Sequence, residues 1–225
     1  CGMCCSGAEV LVRHGIPHAG NFMSTETILV TGAVDAMTVD VQCIKQGLVK
    51  VADCYNTPLI TTNPRCKIEG ATHIEFHEHE PKDCTDEIVI RAIGRFKSRK
   101  MPIQIPQIKN SGVHGFSHEY INYMLGGSFR ASYTPLNDNI INGRIRGIGG
   151  VVGCNNARSR HNEAHIAVVK ELIKNDVVVL TTGCNGIACA MEGLLTPGAA
   201  AVYCGPGLAE VCETVGIPPV LHLGS

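Results

Sequence analysis

The sequence predicts an α/β fold in which parallel strands are covered by helices on both faces. Short apolar runs, rich in β-branched side chains, alternate with segments of helical periodicity. The runs are nearly uninterrupted, which is typical of parallel strands that are buried on both sides. With 44% apolar and 17% charged residues, the 225-residue chain is also able to bury a sizeable core.

Strands and helices are predicted in alternation along the chain. The clearest helix is Asn162–Lys174, because Ile166, Val169 and Ile173 share one of its faces. A second predicted helix covers Thr85–Lys97. The predicted strands are Met37–Val41, Leu59–Thr62, Ile145–Val152, Val177–Leu180, Val202–Cys204 and Val220–Leu223.

A change in composition at residues 98–115 predicts a domain boundary. Two prolines lie there without periodicity, and Asn110-Ser111-Gly112 follows them. We expect residues 1–105 to be the carboxyl-terminal part of a middle Rossmann-like α/β domain, and residues 106–225 to be the amino-terminal part of a second one. The chain starts within a cysteine cluster and stops just after an apolar run, so we expect an internal fragment of a longer protein.

Charge and hydropathy exclude several classes of partner. Nineteen Lys and Arg against twenty Asp and Glu leave a formal net charge of -1, which lacks the basic excess that nucleic acids and anionic membranes attract. No apolar stretch is long enough for a membrane span, and no secretory leader is expected. Twelve cysteines in a chain too large to need disulfides indicate a reducing, cytoplasmic environment.

Three cysteines follow predicted strands at equivalent positions. Cys43, Cys154 and Cys184 each come a few residues after a strand, at the edge of the sheet where α/β proteins bind ligands. The preceding Gly153 and Gly183 allow the backbone to approach a bulky group closely. These three thiols are therefore predicted to converge on a metal or iron-sulfur centre.

The remaining cysteines and histidines give weaker signals. Cys1 and Cys4 have the spacing of a metal or redox pair, but no second pair matches them. His161 and His165 lie one helical turn apart without the glutamate that a zinc protease needs, so we expect a solvated pair or one that supports a site from outside. We expect six other cysteines to pack as small buried apolar residues: Cys54, Cys66, Cys84, Cys189, Cys204 and Cys212.

Several motifs together resemble those of the anaerobic nickel-iron carbon monoxide dehydrogenases. The resemblance covers nearly all of the chain, and one departure is Ala8, where that family usually has asparagine. The motifs are Gly2-Met3-Cys4-Cys5-Ser6-Gly7, Arg13-His14-Gly15-Ile16-Pro17, Thr31-Gly32-Ala33-Val34-Asp35-Ala36-Met37, Val39-Asp40-Val41-Gln42-Cys43, Gly70-Ala71-Thr72-His73, Gly153-Cys154-Asn155-Asn156 and Thr181-Thr182-Gly183-Cys184.

The resemblance implies a nickel-iron-sulfur cluster of the Ni-4Fe-4S type, held by one histidine and five cysteines. Cys43, Cys154 and Cys184 match thiolates on the cubane-like part, and Cys5, rather than Cys4, matches the thiolate on the separate iron. The histidine ligand and further 4Fe-4S clusters are expected upstream of this sequence. The nickel thiolate is expected directly after Ser225.

The reaction that the resemblance implies is oxidation of carbon monoxide with water to carbon dioxide, two protons and two electrons. A ferredoxin-like acceptor would take the electrons, and the full-length protein would be a homodimer that loses activity in air. With four of six ligands present, the fragment alone is expected to be inactive. Two alternatives stay open: a hybrid-cluster protein, similar to hydroxylamine reductases and independent of nickel, and a thiol-rich metal-binding module without chemistry.

Overall fold

Two compact units make up the chain. One consists of residues 24–107 and the other of residues 1–23 together with 108–225. Each unit contains its own parallel sheet of three strands. The computed structural model describes residues 1–41, 45–99, 101–115, 120 and 134–223.

The unit of residues 24–107 is built around strands in the order β1, β2, β3. The central strand is buried on both faces, because Leu59 packs with Leu29 and Leu48, whereas the next residue, Ile60, packs in a separate cluster with Ile74. Both faces of this strand are therefore apolar, as its sequence predicts. The elements are α2 Thr25–Val30, β1 Met37–Val39, α3 Leu48–Cys54, β2 Leu59–Thr61, β3 Thr72–His73 and α4 Pro81–Lys97.

The unit of residues 1–23 and 108–225 contains the second sheet, in the order β4, β5, β6. Val179 and Val220 are fully buried between the sheet and its helices, together with Val169 and Leu208 from two of those helices. The elements are α1 Cys4–Glu9, α5 Thr134–Ile141, β4 Gly147–Gly150, α6 Glu163–Lys174, β5 Val177–Thr181, α7 Gly183–Met191, α8 Ala199–Tyr203, α9 Pro206–Val215 and β6 Val220–His222, with 3-10 turns at Leu11–His14 and Phe22–Ser24.

These parallel sheets with flanking helices confirm the predicted fold class. Five of the six predicted strands are present, four with shorter bounds and Val177–Thr181 one residue longer than predicted, and both predicted helices are present. The units change after residue 107, but residues 1–23 group with 108–225, so the division expected after residue 105 stays a prediction. The assignment of the two stretches to parts of larger domains stays a prediction.

One predicted strand is wrong, because Val202 lies in helix α8 and Cys204 caps its end. The buried residues of this helix are Ala199 and Ala200, whereas Val202 is 71% exposed. Alanine has the highest helix propensity, so the alanines that open this segment favour a helix. The apolar character of Val202 does not reflect burial in a sheet.

Two further differences concern elements with little signal in the sequence. Strand β3 has only two residues, which is too short for an alternating pattern to show. Helix α4 begins at Pro81, four positions before the predicted start at Thr85, and proline suits a first helical position because it has no N–H to leave unpaired. None of the helices in the described ranges has the length and apolar character that crossing a bilayer requires.

Candidate metal centre

Cys184 lies at the carboxyl end of the central strand of the second sheet. Strand β5 ends at Thr181, and helix α7 begins two residues later at Gly183. The Cys184 side chain is 1% exposed, so its thiol is held inside the unit and away from solvent. This is the edge of the sheet at which the sequence predicts the centre.

Gly183 allows a second thiol to approach the same turn. Its φ of 62° lies in the left-handed region, which residues other than glycine rarely adopt. A Cβ built on Gly183 would lie 3.2 Å from the Sγ atom of Cys5. The Cys5 sulfur therefore packs against the backbone of the residue that precedes Cys184.

Cys4 and Cys5 open helix α1 and are fixed by hydrogen bonds of the Cys4 backbone. The Cys4 N–H donates to the carbonyl oxygen of Gly20 at 3.0 Å. Cys4 has a φ of 52° and is buried, and its side chain hydrogen bonds with the Cys184 thiol. A left-handed, non-glycine residue of this kind is uncommon and is enriched at functional sites.

Cys154 joins this group from the loop after β4. Its neighbour Gly153 has a φ of 116°, which again favours glycine. The Cys154 side chain is exposed and hydrogen bonds with Cys184. The structure thus groups Cys4, Cys5 and Cys154 around Cys184.

The surroundings of Cys184 favour its thiolate. The hydrogen bond with the Cys4 side chain is the main cause that lowers the Cys184 pKa, and burial opposes it. The backbone N–H groups of Phe22 and Asn155 and the side chain of Cys154 lower the pKa further, to about 6. The thiolate is the form that binds metals, so at neutral pH Cys184 is prepared as a ligand.

The surroundings of three other cysteines in the same unit favour the neutral thiol. Burial raises the pKa of Cys189, Cys204 and Cys212 to about 12, and nearby negative groups add to this. These three residues stay protonated and pack as apolar side chains. Of the six cysteines expected to be buried, Cys84, Cys189 and Cys212 are buried, Cys66 and Cys204 are half-buried, and Cys54 is exposed, so that expectation is wrong for Cys54.

Cys43 lies outside the described residues, and so do the two residues that follow Leu223. Within the ranges that the structure describes, no three His, Cys, Asp or Glu side chains are arranged around a single metal ion. The ligand assignment of Cys5, Cys43, Cys154 and Cys184 therefore stays a prediction.

The donor chemistry of the described residues fits an iron-sulfur centre. Soft thiolates are the preferred ligands of such clusters. In addition, the Nδ2 atom of Asn155 is buried and has no hydrogen-bond partner among the described residues. A donor left without an acceptor beside Cys154 is expected where an acceptor, such as a cluster sulfide, belongs.

Three histidines beside this thiol group have no signal in the sequence pattern. The Gly20 N–H donates to Nδ1 of His18 at 3.2 Å, so the ring proton lies on Nε2, which donates to the Cys4 carbonyl oxygen at 3.0 Å. The rings of His114 and His222 lie 4.9 Å apart between centroids. Burial lowers the pKa of all three, that of His222 to about 4. They are therefore neutral at physiological pH.

A network of asparagines also supports the site. Asn21 is fully buried, and its Nδ2 donates to Oδ1 of Asn162 at 3.1 Å. The Asn162 backbone N–H donates to Oδ1 of Asn155 at 2.7 Å. His161 contacts Asn21 through Nε2 at 2.9 Å, which agrees with the expectation that this histidine supports a site from outside. Of the three asparagines, only Asn155 belongs to one of the motifs that carry the family resemblance.

The fold and the grouped thiols define an α/β protein whose cysteines gather beyond the carboxyl ends of parallel strands. More specifically, the chain belongs to the Prismane/CO dehydrogenase family, whose family model matches residues 1–225. This confirms the family resemblance of the sequence motifs.

Individual relatives agree with this membership. The chain is 52% identical over its whole length to carbon monoxide dehydrogenase 1 of Methanosarcina mazei, of which it covers 35%. It is 45% identical to carbon monoxide dehydrogenase 1 of Carboxydothermus hydrogenoformans, of which it covers 37%.

Solved structures match equally well. Carbon monoxide dehydrogenase IV from Carboxydothermus hydrogenoformans has a TM-score of 0.91 and 44% identity over the whole chain, which covers 37% of that structure. A nickel-free carbon monoxide dehydrogenase from Thermococcus sp. AM4 has a TM-score of 0.90 and 48% identity, with 35% of that structure covered. The chain thus spans little more than a third of the length of the relatives it matches.

Proposed function

We propose that this chain supplies part of the active site of a carbon monoxide dehydrogenase. The observation that carries the proposal is the grouping of sulfurs at Cys184, whose side chain hydrogen bonds with Cys4 and Cys154 and whose neighbour Gly183 packs against the Cys5 sulfur. This arrangement occurs in a chain that is 52% identical to a carbon monoxide dehydrogenase. The proposal concerns the longer protein, because the chain covers only 35% of that relative.

A nickel-iron-sulfur cluster of the Ni-4Fe-4S type is the proposed cofactor. Cys5, Cys154 and Cys184 would hold irons of this cluster through their sulfurs, and Cys43 is the fourth proposed ligand. The cluster supplies the redox chemistry by which carbon monoxide and water become carbon dioxide, two protons and two electrons. Further 4Fe-4S clusters are proposed for the rest of the protein.

The chain itself would fix the sulfurs and exclude water. Gly183 permits the close approach of the Cys5 sulfur, and the N–H groups of Phe22 and Asn155 stabilise the Cys184 thiolate. The neutral, largely buried rings of His114 and His222 pack beside this region without adding positive charge. Preorganised donors in a dry site are worth more than the same donors in water.

The proposed partners follow from this chemistry. The two electrons need an acceptor, for which we propose a ferredoxin-type protein, and we propose that the full-length protein is a homodimer. We propose a cytoplasmic location in an anaerobe, because oxygen would oxidise the thiolates and sulfides of the site. The 225-residue chain alone is proposed to be inactive.

Anaerobic purification of the full-length protein tests the proposal. We expect nickel and iron to copurify and carbon monoxide to reduce a viologen dye, with activity lost on exposure to air. Iron without nickel, together with reduction of hydroxylamine, would instead support a hybrid-cluster protein. If reconstitution with iron and sulfide produces no visible absorption, the thiols belong to a module without redox chemistry and the proposal is wrong.

The 225-residue chain gives a second measurement. Reconstituted in the same way, it is expected to show no nickel-dependent viologen reduction. Turnover by this chain would overturn the proposed inactivity while leaving the assignment of the reaction intact.

A further inference from the structure

Two loop segments each donate one backbone N–H to the sulfur of Cys184. One donor is Phe22, in the 3-10 turn that follows Gly20, and the other is Asn155, in the loop after strand β4. The two segments are far apart in the sequence, so something must hold both against the same thiol. A backbone N–H group cannot reorient independently, so its direction depends on how the surrounding chain is held.

Asn21 fixes the first of these segments. Its Oδ1 accepts a hydrogen bond from the Met23 N–H at 3.1 Å, which closes a turn around Phe22. The same oxygen lies 2.9 Å from Nε2 of His161, which must donate because Oδ1 is only an acceptor. The Asn21 amide is fully buried, and its Nδ2 is therefore directed to Asn162.

Asn162 fixes the second segment. It precedes helix α6 with a φ of 65°, a left-handed conformation that asparagine tolerates better than most residues. Its backbone N–H donates to Oδ1 of Asn155 at 2.7 Å. Because Oδ1 of Asn155 accepts this bond, the amide orientation is set and Nδ2 is turned to the other side, where it has no partner among the described residues.

We propose that Asn21 and Asn162 are positioning residues for the candidate metal centre: their amide hydrogen bond ties together the two segments whose backbone N–H groups donate to Cys184. The proposal rests on the proposed function for its catalytic meaning. In this scheme both asparagines act through the backbone N–H groups of Phe22 and Asn155, and neither is assigned as a cluster ligand. Outer residues that orient metal ligands typically change metal affinity or activity by about 10- to 100-fold when mutated.

Asn162→Gly in the full-length protein is the main test. Glycine keeps the left-handed conformation but removes the amide, and with it the hydrogen bond to Asn21 and a weaker one from Nδ2 to Met191 Sδ at 3.6 Å. Hydrogen-deuterium exchange, measured on peptides from the metal-free protein, should become about tenfold faster or more at Phe22 and Asn155. The matched control is Asn175→Gly, at the other end of helix α6, which should leave both peptides unchanged.

The loaded protein gives the second readout. In Asn162→Gly, the electron paramagnetic resonance signature of the cluster should change and its reduction potential should fall, because hydrogen bonds to cluster sulfurs are weakened. Asn162→Asp keeps an acceptor oxygen for Asn21 and should restore the exchange protection and the spectrum. Unchanged exchange and an unchanged spectrum in Asn162→Gly would overturn the proposal.

A folding defect would not leave the question open. If Asn162→Gly fails to accumulate, Asn21→Ala removes the same link from the opposite side and should give the same two changes. If the wild-type protein lacks nickel and does not oxidise carbon monoxide but the exchange changes occur, the proposed function is wrong and the link stands. If the wild-type protein is active and neither variant changes exchange or spectrum, only the positioning role is wrong.

Discussion

The ring of His222 lies directly against the backbone of Gly186. A Cβ on Gly186 would stand 2.6 Å from Cδ2 and 2.7 Å from Nε2 of this ring. His222 ends strand β6 and is 1% exposed, whereas Gly186 lies in the first turn of helix α7, just after Cys184. The contact therefore sets how closely the strand and the helix that carries Cys184 approach each other.

Gly186→Ala is expected to destabilise the protein. The buried ring has no space to retreat, so overpacking should lower the free energy of unfolding by about 1 to 3 kcal/mol. Urea unfolding measures this. The matched control is Gly94→Ala in helix α4, where a Cβ meets nothing within 4 Å, and this change should be neutral or stabilising by up to about 1 kcal/mol. Equal stability of the two variants would contradict the role of the contact.

Stability is expected to fall as the pH drops from about 6.5 to 4. Burial, together with the charges that His114, His18 and Arg13 would add, lowers the pKa of His222 to about 4. The folded state therefore binds this proton less readily than the unfolded state, so the stability present at neutral pH is lost as the pH falls through this range. The contribution of His222 is about 3 kcal/mol.

Urea unfolding of the chain at several pH values measures the slope of the unfolding free energy against pH. His222→Gln should flatten it without abolishing it, because the pKa values of His18 and His114 are lowered in the same direction. The exposed His14→Gln is the control for removing an imidazole. A His222→Gln protein with the wild-type slope would show that another group controls acid unfolding.

Arg95 is expected to stabilise the end of helix α3. Arg95 is 6% exposed, and its guanidinium donates to the carbonyl oxygens of Tyr55, at 2.7 Å, and Asn56, which follow the last helical residue. A cation at this end also complements the helix dipole. Arg95→Met leaves both carbonyls without their charged donor and should cost about 2 to 3 kcal/mol.

The exposed pair in helix α4 provides the control for Arg95. Arg91 contacts Glu87 at 2.7 Å one turn away on the helix surface, and Arg91→Met should cost about 0.5 kcal/mol or less. Thermal unfolding of both variants distinguishes the two environments. A similar loss in both would mean that Arg95 contributes no more than a surface charge.

Burial explains which parts of the fold could be predicted from the sequence. Val177–Thr181 forms a central strand that is largely buried, so its sequence is almost purely apolar. The end of this strand, just before Cys184, can therefore be located from the sequence. Val202 is equally apolar but 71% exposed in a short helix, and an apolar run alone does not separate these cases. A periodic pattern such as Ile166, Val169 and Ile173 identifies the buried face of a helix, whereas a short apolar run without a period does not distinguish a buried strand from an exposed helix.

The supporting residues of the site could not be predicted for a different reason. His18 and His222 contact the thiol region through residues that are distant in the sequence, namely Cys4 and Gly186, and no local spacing predicts these contacts. The amide bond between Asn21 and Asn162 likewise joins two distant loops. Cys154 and Cys184 could be predicted as site residues because each follows a strand, and the end of a strand can be located from the sequence.

Gly183→Ala is expected to disturb the metal centre more than the fold. At a φ of 62° an alanine is strained by about 1 to 2 kcal/mol, and its Cβ would also lie 3.2 Å from the Cys5 sulfur, which would have to shift by a few tenths of an ångström. Gly193→Ala separates the two effects, because its φ of 74° carries the same strain while a Cβ there meets nothing within 4 Å. Both variants should lose similar unfolding free energy, but only Gly183→Ala should lower the iron retained per chain after anaerobic reconstitution of the full-length protein. Equal iron content in the two variants would show that the Cys5 sulfur does not depend on Gly183, and would count against Cys5 as a ligand beside Cys184.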